Sequence, residues 1–225
     1  MLDEKQFKDA VRRHLDAEGA LDASSVLISE LNIDHFQRRA DLVLANGRLS
    51  AFEIKSERDS LTRLAGQMEV YCRNFEGVTV VSSPKFTKKV REQVPTHVGL
   101  WEVTQSGDEA PKVRVIRQSR LRRLPLERAL AFLTVNDLKR LIAEEGLARP
   151  EKNWRPLLIE AVRKLPAERI RYAARAALKR RYRNRSFEPL PKCTAIKAVQ
   201  EPSSKSSPMD TGIRKVTPRI RVVHS

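Results

Sequence analysis

Phe7, Val11 and Leu15 recur every four residues with charges between them, which predicts an amphipathic helix over residues 3–18 that Gly19 ends. Val26 to Ile33 is short and mostly apolar, and fits either a strand or the end of a helix. The clearest pattern follows. Two runs rich in Leu, Val, Ile and Phe, from Arg39 to Ala45 and from Arg48 to Lys55, flank Asn46-Gly47, a dipeptide that tolerates the positive φ of a hairpin turn. In strand geometry Glu53 and Lys55 point to one face, while Phe52 and Ile54 point to the other and can enter a core. Asp59-Ser60 offers an N-cap to a helix marked by Leu61, Leu64, Met68, Tyr71 and Phe75, which Gly77 closes. The β-branched run Val78 to Val81 then predicts a strand brought parallel to a sheet neighbour by a right-handed crossover. A helix over residues 84–94 lies between two prolines, and strands over 97–103 and 112–117 flank a loop at 105–111. Together these predict an α/β domain with a mixed sheet flanked by helices.

From Leu121 the pattern is helical. Thr134 and Asp137 form a capping-box signal opening a helix that Gly146 ends, and residues 154–165 and 167–182 supply two more helices separated by Pro166. Beyond Ser186, Pro and Ser clusters with few aromatics predict a disordered basic tail. The expected organisation is therefore an α/β core over residues 1–118, a small basic all-helical domain over 119–186 and a tail over 187–225.

Charge sharpens that division. Residues 1–117 hold 18 basic and 18 acidic side chains, whereas residues 118–225 hold 26 basic and 10 acidic, so the whole net charge of +16 lies in the second half. Such asymmetry is the footprint of a polyanion-binding module beside a neutral one. No apolar run approaches the ~20 residues that span a bilayer, and no secretory leader opens the chain, so a soluble cytoplasmic protein with no membrane partner is expected. Two cysteines, Cys72 and Cys193, and four scattered histidines offer no zinc-ligand spacing. Any metal should be held by oxygen, which favours Mg²⁺ or Mn²⁺.

The chemistry concentrates in the hairpin. A buried charge must be paired or bind a metal, so Glu53 and Lys55 are expected to line a cleft with Asp41 from the neighbouring strand. If the turn were a two-residue loop, Asp41 would pair with Phe52. A shared site therefore requires a three-residue loop or a β-bulge that moves the register by one. Asp41 followed by Glu53-Ile54-Lys55 resembles the PD-(D/E)XK superfamily of restriction-endonuclease-like nucleases, although Arg39-Ala40 stands where the motif name has Pro. That resemblance covers residues 1–117. It implies that Asp41 and Glu53 bind the divalent cation and that Lys55 positions the attacking water or steadies the developing charge. Gln67 and Tyr71 match the Gln-x-x-x-Tyr spacing found on the following helix in some branches, one helical turn apart and so on one face, and Glu30 is the candidate additional acid upstream.

In the second half, Leu133 to Leu141 and on to Ile159 resembles a SAP-type helix-extended-helix DNA-binding motif over residues 133–162. The last helix carries Arg175, Lys179, Arg180, Arg181, Arg183 and Arg185, whose cationic groups suit phosphate oxygens, with Tyr71 and Tyr182 as aromatic candidates for nucleic-acid contact. The expected function is a Mg²⁺-dependent nuclease acting on DNA in repair, processing or defence. The alternatives are a DNA- or RNA-binding accessory protein on the same fold that does not cleave, or an RNA-directed enzyme.

Overall fold

In the computed structural model, which describes residues 2–33 and 38–183, the first helix α1 (Glu4–Ala17) begins at a reciprocal capping box between Asp3 and Gln6. Three strands follow, β1 (Val26–Ile33), β2 (Arg38–Ala45) and β3 (Leu49–Lys55), each antiparallel to the one before. Val26 to Ile33, ambiguous as a pattern, is a strand. Helix α2 (Leu64–Asn74) then crosses to β4 (Gly77–Ser82), parallel to β3, and α3 (Pro84–Gln93) to β5 (Gly99–Thr104), parallel to β4. Strand β6 (Lys112–Arg117) closes the edge antiparallel to β5, so the six strands lie in chain order in one mixed sheet.

The sheet separates two cores. On one face Phe7, Val11 and Leu15 of α1 pack on Leu27, Leu42, Leu44, Phe52, Ile54, Val81 and Trp101. The other face joins Ile28, Val43, Ala51, Val78, Val80 and Leu100 to Leu64, Met68 and Tyr71 of α2 and to Phe86 and Val90 of α3.

Helices α4 (Leu126–Phe132), α5 (Val135–Glu144), α6 (Arg155–Val162) and α7 (Ala167–Tyr182) complete the described chain. They do not build a core of their own. Leu124, Leu130, Leu133, Leu138, Leu158, Ile170 and Leu178 belong to the same cluster as the second sheet face, so the expected division at residue 118 falls within one continuous core. Polar ties reinforce it: Glu76 accepts from the Leu49 amide at 2.9 Å and pairs with Arg175 at 3.3 Å, and the buried Arg171 donates to the Leu124 carbonyl at 2.6 Å. The expected tail lies outside the described residues. No helix among the described residues is long and apolar enough to cross a membrane.

Two local expectations change. Helix α2 starts at Leu64, with Arg63 as an N-cap lacking a side-chain bond, because Asp59 is used elsewhere: its carboxylate accepts from the Ser56 amide at 2.8 Å and from its hydroxyl at 2.6 Å. Gly77 opens β4 instead of closing α2, whose C-cap is Phe75. Close packing is severe at Gly99, where an added Cβ would lie 2.6 Å from Thr79 Oγ1 and 2.9 Å from the Ser119 backbone nitrogen. Gly99→Ala is expected to destabilise the fold by about 1–3 kcal/mol in urea denaturation, because one of those contacts is to backbone that cannot swing aside.

Candidate active site

Strands β2 and β3 are joined by three residues, Asn46-Gly47-Arg48, and Gly47 supplies the positive φ of 120° that the turn needs. The ladder runs Ala45 to Leu49, Leu44 to Ser50, Val43 to Ala51 and Leu42 to Phe52, and there it stops. Continued by one step, this register sets Asp41 opposite Glu53, the arrangement a shared site requires. Beyond the last rung the strands part, and Asp41 Oδ2 accepts the Ile54 amide hydrogen at 2.8 Å in place of a ladder carbonyl.

A matching irregularity lies on the other side of β2. Ile28 and Leu31 of β1 enter the same core although three residues apart, and so do Ala40 and Val43 of β2. Regular strands alternate, so both strands roll over between those positions, where Glu30 stands opposite Asp41 in the register that pairs Ser29 with Leu42 and Leu31 with Ala40. Glu30 has φ 59°, the one non-glycine residue with positive φ among the described residues. Such a conformation costs about 1–3 kcal/mol and persists where neighbours hold it. The holders are Lys8 of α1, hydrogen-bonded to Glu30, and Arg39 of β2, ion-paired with it.

Glu53 is locked from the opposite side. Only 1% of it is exposed, and Lys55 beside it is 4% exposed. Its Oε1 accepts from Lys55 Nζ at 2.8 Å and from Gln67 Nε2 at 2.5 Å, and Tyr71 OH lies 2.7 Å from Oε2 and 2.8 Å from the Arg39 carbonyl. Gln67 and Tyr71, one turn apart on α2, thus serve one carboxylate. Phe52 and Ile54 enter the α1 core on the opposite face, as strand alternation requires.

Electrostatics follow from this crowding. Burial first, then the Glu53 charge and to a lesser degree Glu4, push the Asp41 carboxyl up to about 7, against the opposing pull of the Ile54 amide and Lys55. Burial and Glu53 also raise the Tyr71 phenol far above its ordinary value, so it acts as a neutral donor. Burial works against the Lys8 ammonium, but its bonds to Glu30 and Glu4 outweigh that and hold its pKa above the usual lysine value.

A divalent cation fits the donors present. Glu4, Glu30 and Asp41 each offer a carboxylate oxygen within 4.8 Å of the others, an all-oxygen set of the kind Mg²⁺ or Mn²⁺ takes. The Gln67 Oε1 atom is also buried without a protein partner among the described residues. A cation would oppose both the burial and the carboxylate repulsion that raise Asp41. Glu53, expected to share the metal with Asp41, stands outside this trio, because both of its oxygens are already engaged by Lys55, Gln67 and Tyr71.

The hairpin therefore brings together Asp41, Glu53, Lys55, Glu30, Gln67 and Tyr71. Tyr71 is a correction as a nucleic-acid contact: its ring is fully buried and its hydroxyl is spent on Glu53 and Arg39. Arg175 is also drawn inward, onto Glu76. Arg180 and Arg181 are exposed but pair with Asp137 at 2.5 and 2.7 Å, Lys179 is half-buried, Arg183 is exposed, and Arg185 lies outside the described residues. Tyr182 packs partly against the core. Glu4, Lys8 and Arg39 are the site residues that pattern reading missed. The signal available was the spacing of Glu4 and Lys8, four apart on one helix face and bonded at 2.7 Å.

Comparison with known proteins supplies the lineage. Over 183 residues the chain is 37% identical to protein cII of Enterobacteria phage P4, covering 81% of this chain and 69% of that protein. A solved protein of unknown function from Silicibacter pomeroyi overlaps 64% of this chain and 92% of its own at 19% identity, with a TM-score of 0.44. The family model described as bacteriophage P4 protein cII matches residues 1–201, and the chain belongs to that family.

Proposed function

We propose that this protein is a divalent-cation-dependent phosphodiesterase that cuts DNA, built on a restriction-endonuclease-like sheet. The observation that supports this reading most is the three-residue turn, whose register, continued one step past its last rung at Leu42 and Phe52, aligns Asp41 with Glu53, and Lys55 lies on the same face as Glu53. Asp41, with Glu30 and Glu4, would hold the cation, which when bound supplies Lewis-acid polarisation of the scissile phosphate and a more acidic water. The chain's own residues do the rest. Glu53 fixes Lys55 at 2.8 Å, so the ammonium is already oriented for the negative charge that grows on the phosphate in the transition state. Gln67 and Tyr71 keep Glu53 in place without competing for its charge. Residues 118–183 carry 18 basic and 7 acidic side chains, a field that favours a polyanion near the site.

A second reading has its own support. Lys8 and Arg39 already neutralise Glu30, and three donors saturate Glu53, so the cluster is electrically satisfied by the protein alone. A DNA- or RNA-binding accessory protein that does not cleave would be stable in this form. One assay separates the two: purified protein on linear, nicked, branched and single-stranded DNA, with Mg²⁺ or with EDTA. Cleavage that needs Mg²⁺ and vanishes in Asp41→Asn supports the enzyme. Binding in EDTA without cleavage of any substrate in Mg²⁺ supports the accessory protein.

A further inference from the structure

Among the described residues three large apolar side chains are exposed, Leu121, Trp154 and Tyr172 at 47%, 63% and 62%, and all three lie in the half that carries the excess positive charge. Isolated exposed apolar side chains are ordinary on any surface. The two aromatics have more in common than exposure. Lys152 Nζ lies 4.8 Å from the centre of the Trp154 ring, and the Arg169 guanidinium, itself ion-paired with Glu144 at 3.1 Å and Glu145 at 2.6 Å, lies 5.4 Å from that of Tyr172.

Both rings are also carried by helical backbone, one at a helix start and one within a helix. Trp154 occupies the N-cap of α6, where Ser, Thr, Asp or Asn would stabilise the helix better, and it makes no side-chain capping bond there. Pro156 in the first turn fixes the adjoining backbone, and Arg149 is hydrogen-bonded to Asn153 at 3.3 Å just before it. Tyr172 projects from α7 between buried Arg171 and Ala173. Trp154 with Lys152 beside it combines the two elements of single-strand recognition, a π-face for a base and a charge for its phosphate, and Tyr172 offers a second exposed π-face in the same positively charged segment. Duplex bases hide their faces in the stack, so such rings are useful only where bases are unpaired.

We infer that Trp154 and Tyr172 are stacking points for unpaired bases, so that the nucleic acid this protein engages presents single-stranded segments. The inference rests on the proposed nucleic-acid partner but not on cleavage.

The test uses the full chain in EDTA, where no cation-dependent cleavage can intervene. Because Trp101 is 6% exposed, fluorescence changes on adding oligo(dT) should come mainly from Trp154 and disappear in Trp154→Phe. Affinity is read separately by anisotropy of labelled oligo(dT) and of a duplex of equal length. Trp154→Ala and Tyr172→Ala are each expected to weaken single-strand binding by roughly five- to a hundredfold and to change duplex binding less than twofold. Phe at either position should retain most of the affinity, since a ring remains. Both sites are exposed, so melting temperatures should stay at the wild-type value. If the alanine variants bind oligo(dT) as tightly as wild type, or lose single-strand and duplex affinity equally, stacking is overturned while the nucleic-acid reading stands. If the wild type binds neither nucleic acid even at low salt, the nucleic-acid reading itself falls and these rings face a different partner.

Discussion

Glu53→Gln is expected to reduce Mg²⁺-dependent cleavage by at least roughly 10²–10³-fold, the usual cost of losing one preorganised electrostatic element, and to destabilise the fold by about 3 kcal/mol. The second effect departs from what isosteric replacement alone suggests. The hydrogen bonds can survive: the new amide oxygen can accept from Lys55 and Gln67, and its NH₂ can donate to Tyr71 OH, which then gives its hydrogen to the Arg39 carbonyl 2.8 Å away. What does not survive is the charge. Lys55 is 4% exposed and would lose its closest carboxylate, and removing one member of a buried ion pair costs about 3–5 kcal/mol. The low end applies here because the hydrogen bonds persist. Adding Lys55→Met should recover most of the stability without restoring cleavage, as measured by urea denaturation beside a cleavage assay. If Glu53→Gln alone is as stable as wild type and still cleaves, neither the ion pair nor the site has the role assigned to it.

The hairpin that carries this pair was the most legible part of the sequence, because turn chemistry and apolar alternation are local signals. Asn46-Gly47 marked the turn, and the demand that Asp41 and Glu53 meet required the one-residue shift that Arg48 supplies as the third loop residue. Strand β1 was ambiguous for a physical reason. Its alternation is broken where it rolls at Glu30, so Ile28 and Leu31 fall at a spacing that suits a helix as well as a strand. The Gln67 and Tyr71 spacing correctly placed both side chains on one face, but spacing does not say whether a face looks outward or at a buried carboxylate.

The second half was read least well, and charge is the reason. Net charge reports how many cations a segment has, not which of them have internal partners. Arg175 pairs with Glu76, 99 positions away in sequence, and nothing local to either residue announces it. In the same way Leu124, Leu130 and Leu133 have the spacing of helical core residues without any mark of which core. They pack onto the sheet, so a segment that composition sets apart is physically continuous with the α/β half.

Asp41→Asn should do the opposite of Glu53→Gln to stability while removing cleavage as completely. The folded protein holds the Asp41 carboxyl at about 7, against 3.8 for the unperturbed side chain. Between those two values the folded chain binds a proton that the unfolded chain releases, so Asp41 costs no stability below pH ~4 and destabilises progressively as pH rises toward 7. Above that the penalty is constant. Three units correspond to about 4 kcal/mol at most, and about 2–4 kcal/mol is expected once the chain relaxes around the charge. Asparagine keeps an oxygen acceptor for the Ile54 amide, bonded at 2.8 Å in the wild type, but has no charge to desolvate. In EDTA the variant should therefore lie within about 1 kcal/mol of the wild type at pH 4.5 and exceed it by about 2–4 kcal/mol at pH 8. Comparing the two proteins cancels the other titrating groups, among them His97, whose pKa burial and neighbouring arginines depress. Saturating Mg²⁺ should close the gap at pH 8 by stabilising only the chain with an ionised Asp41, since a cation that binds the folded form alone adds its binding free energy to stability. Urea denaturation of both proteins at the two pH values, with EDTA and with Mg²⁺, measures all four differences. An Asp41→Asn variant less stable than wild type at pH 8 in EDTA would show that Asp41 is a satisfied structural carboxylate and not the strained acid of a cation site.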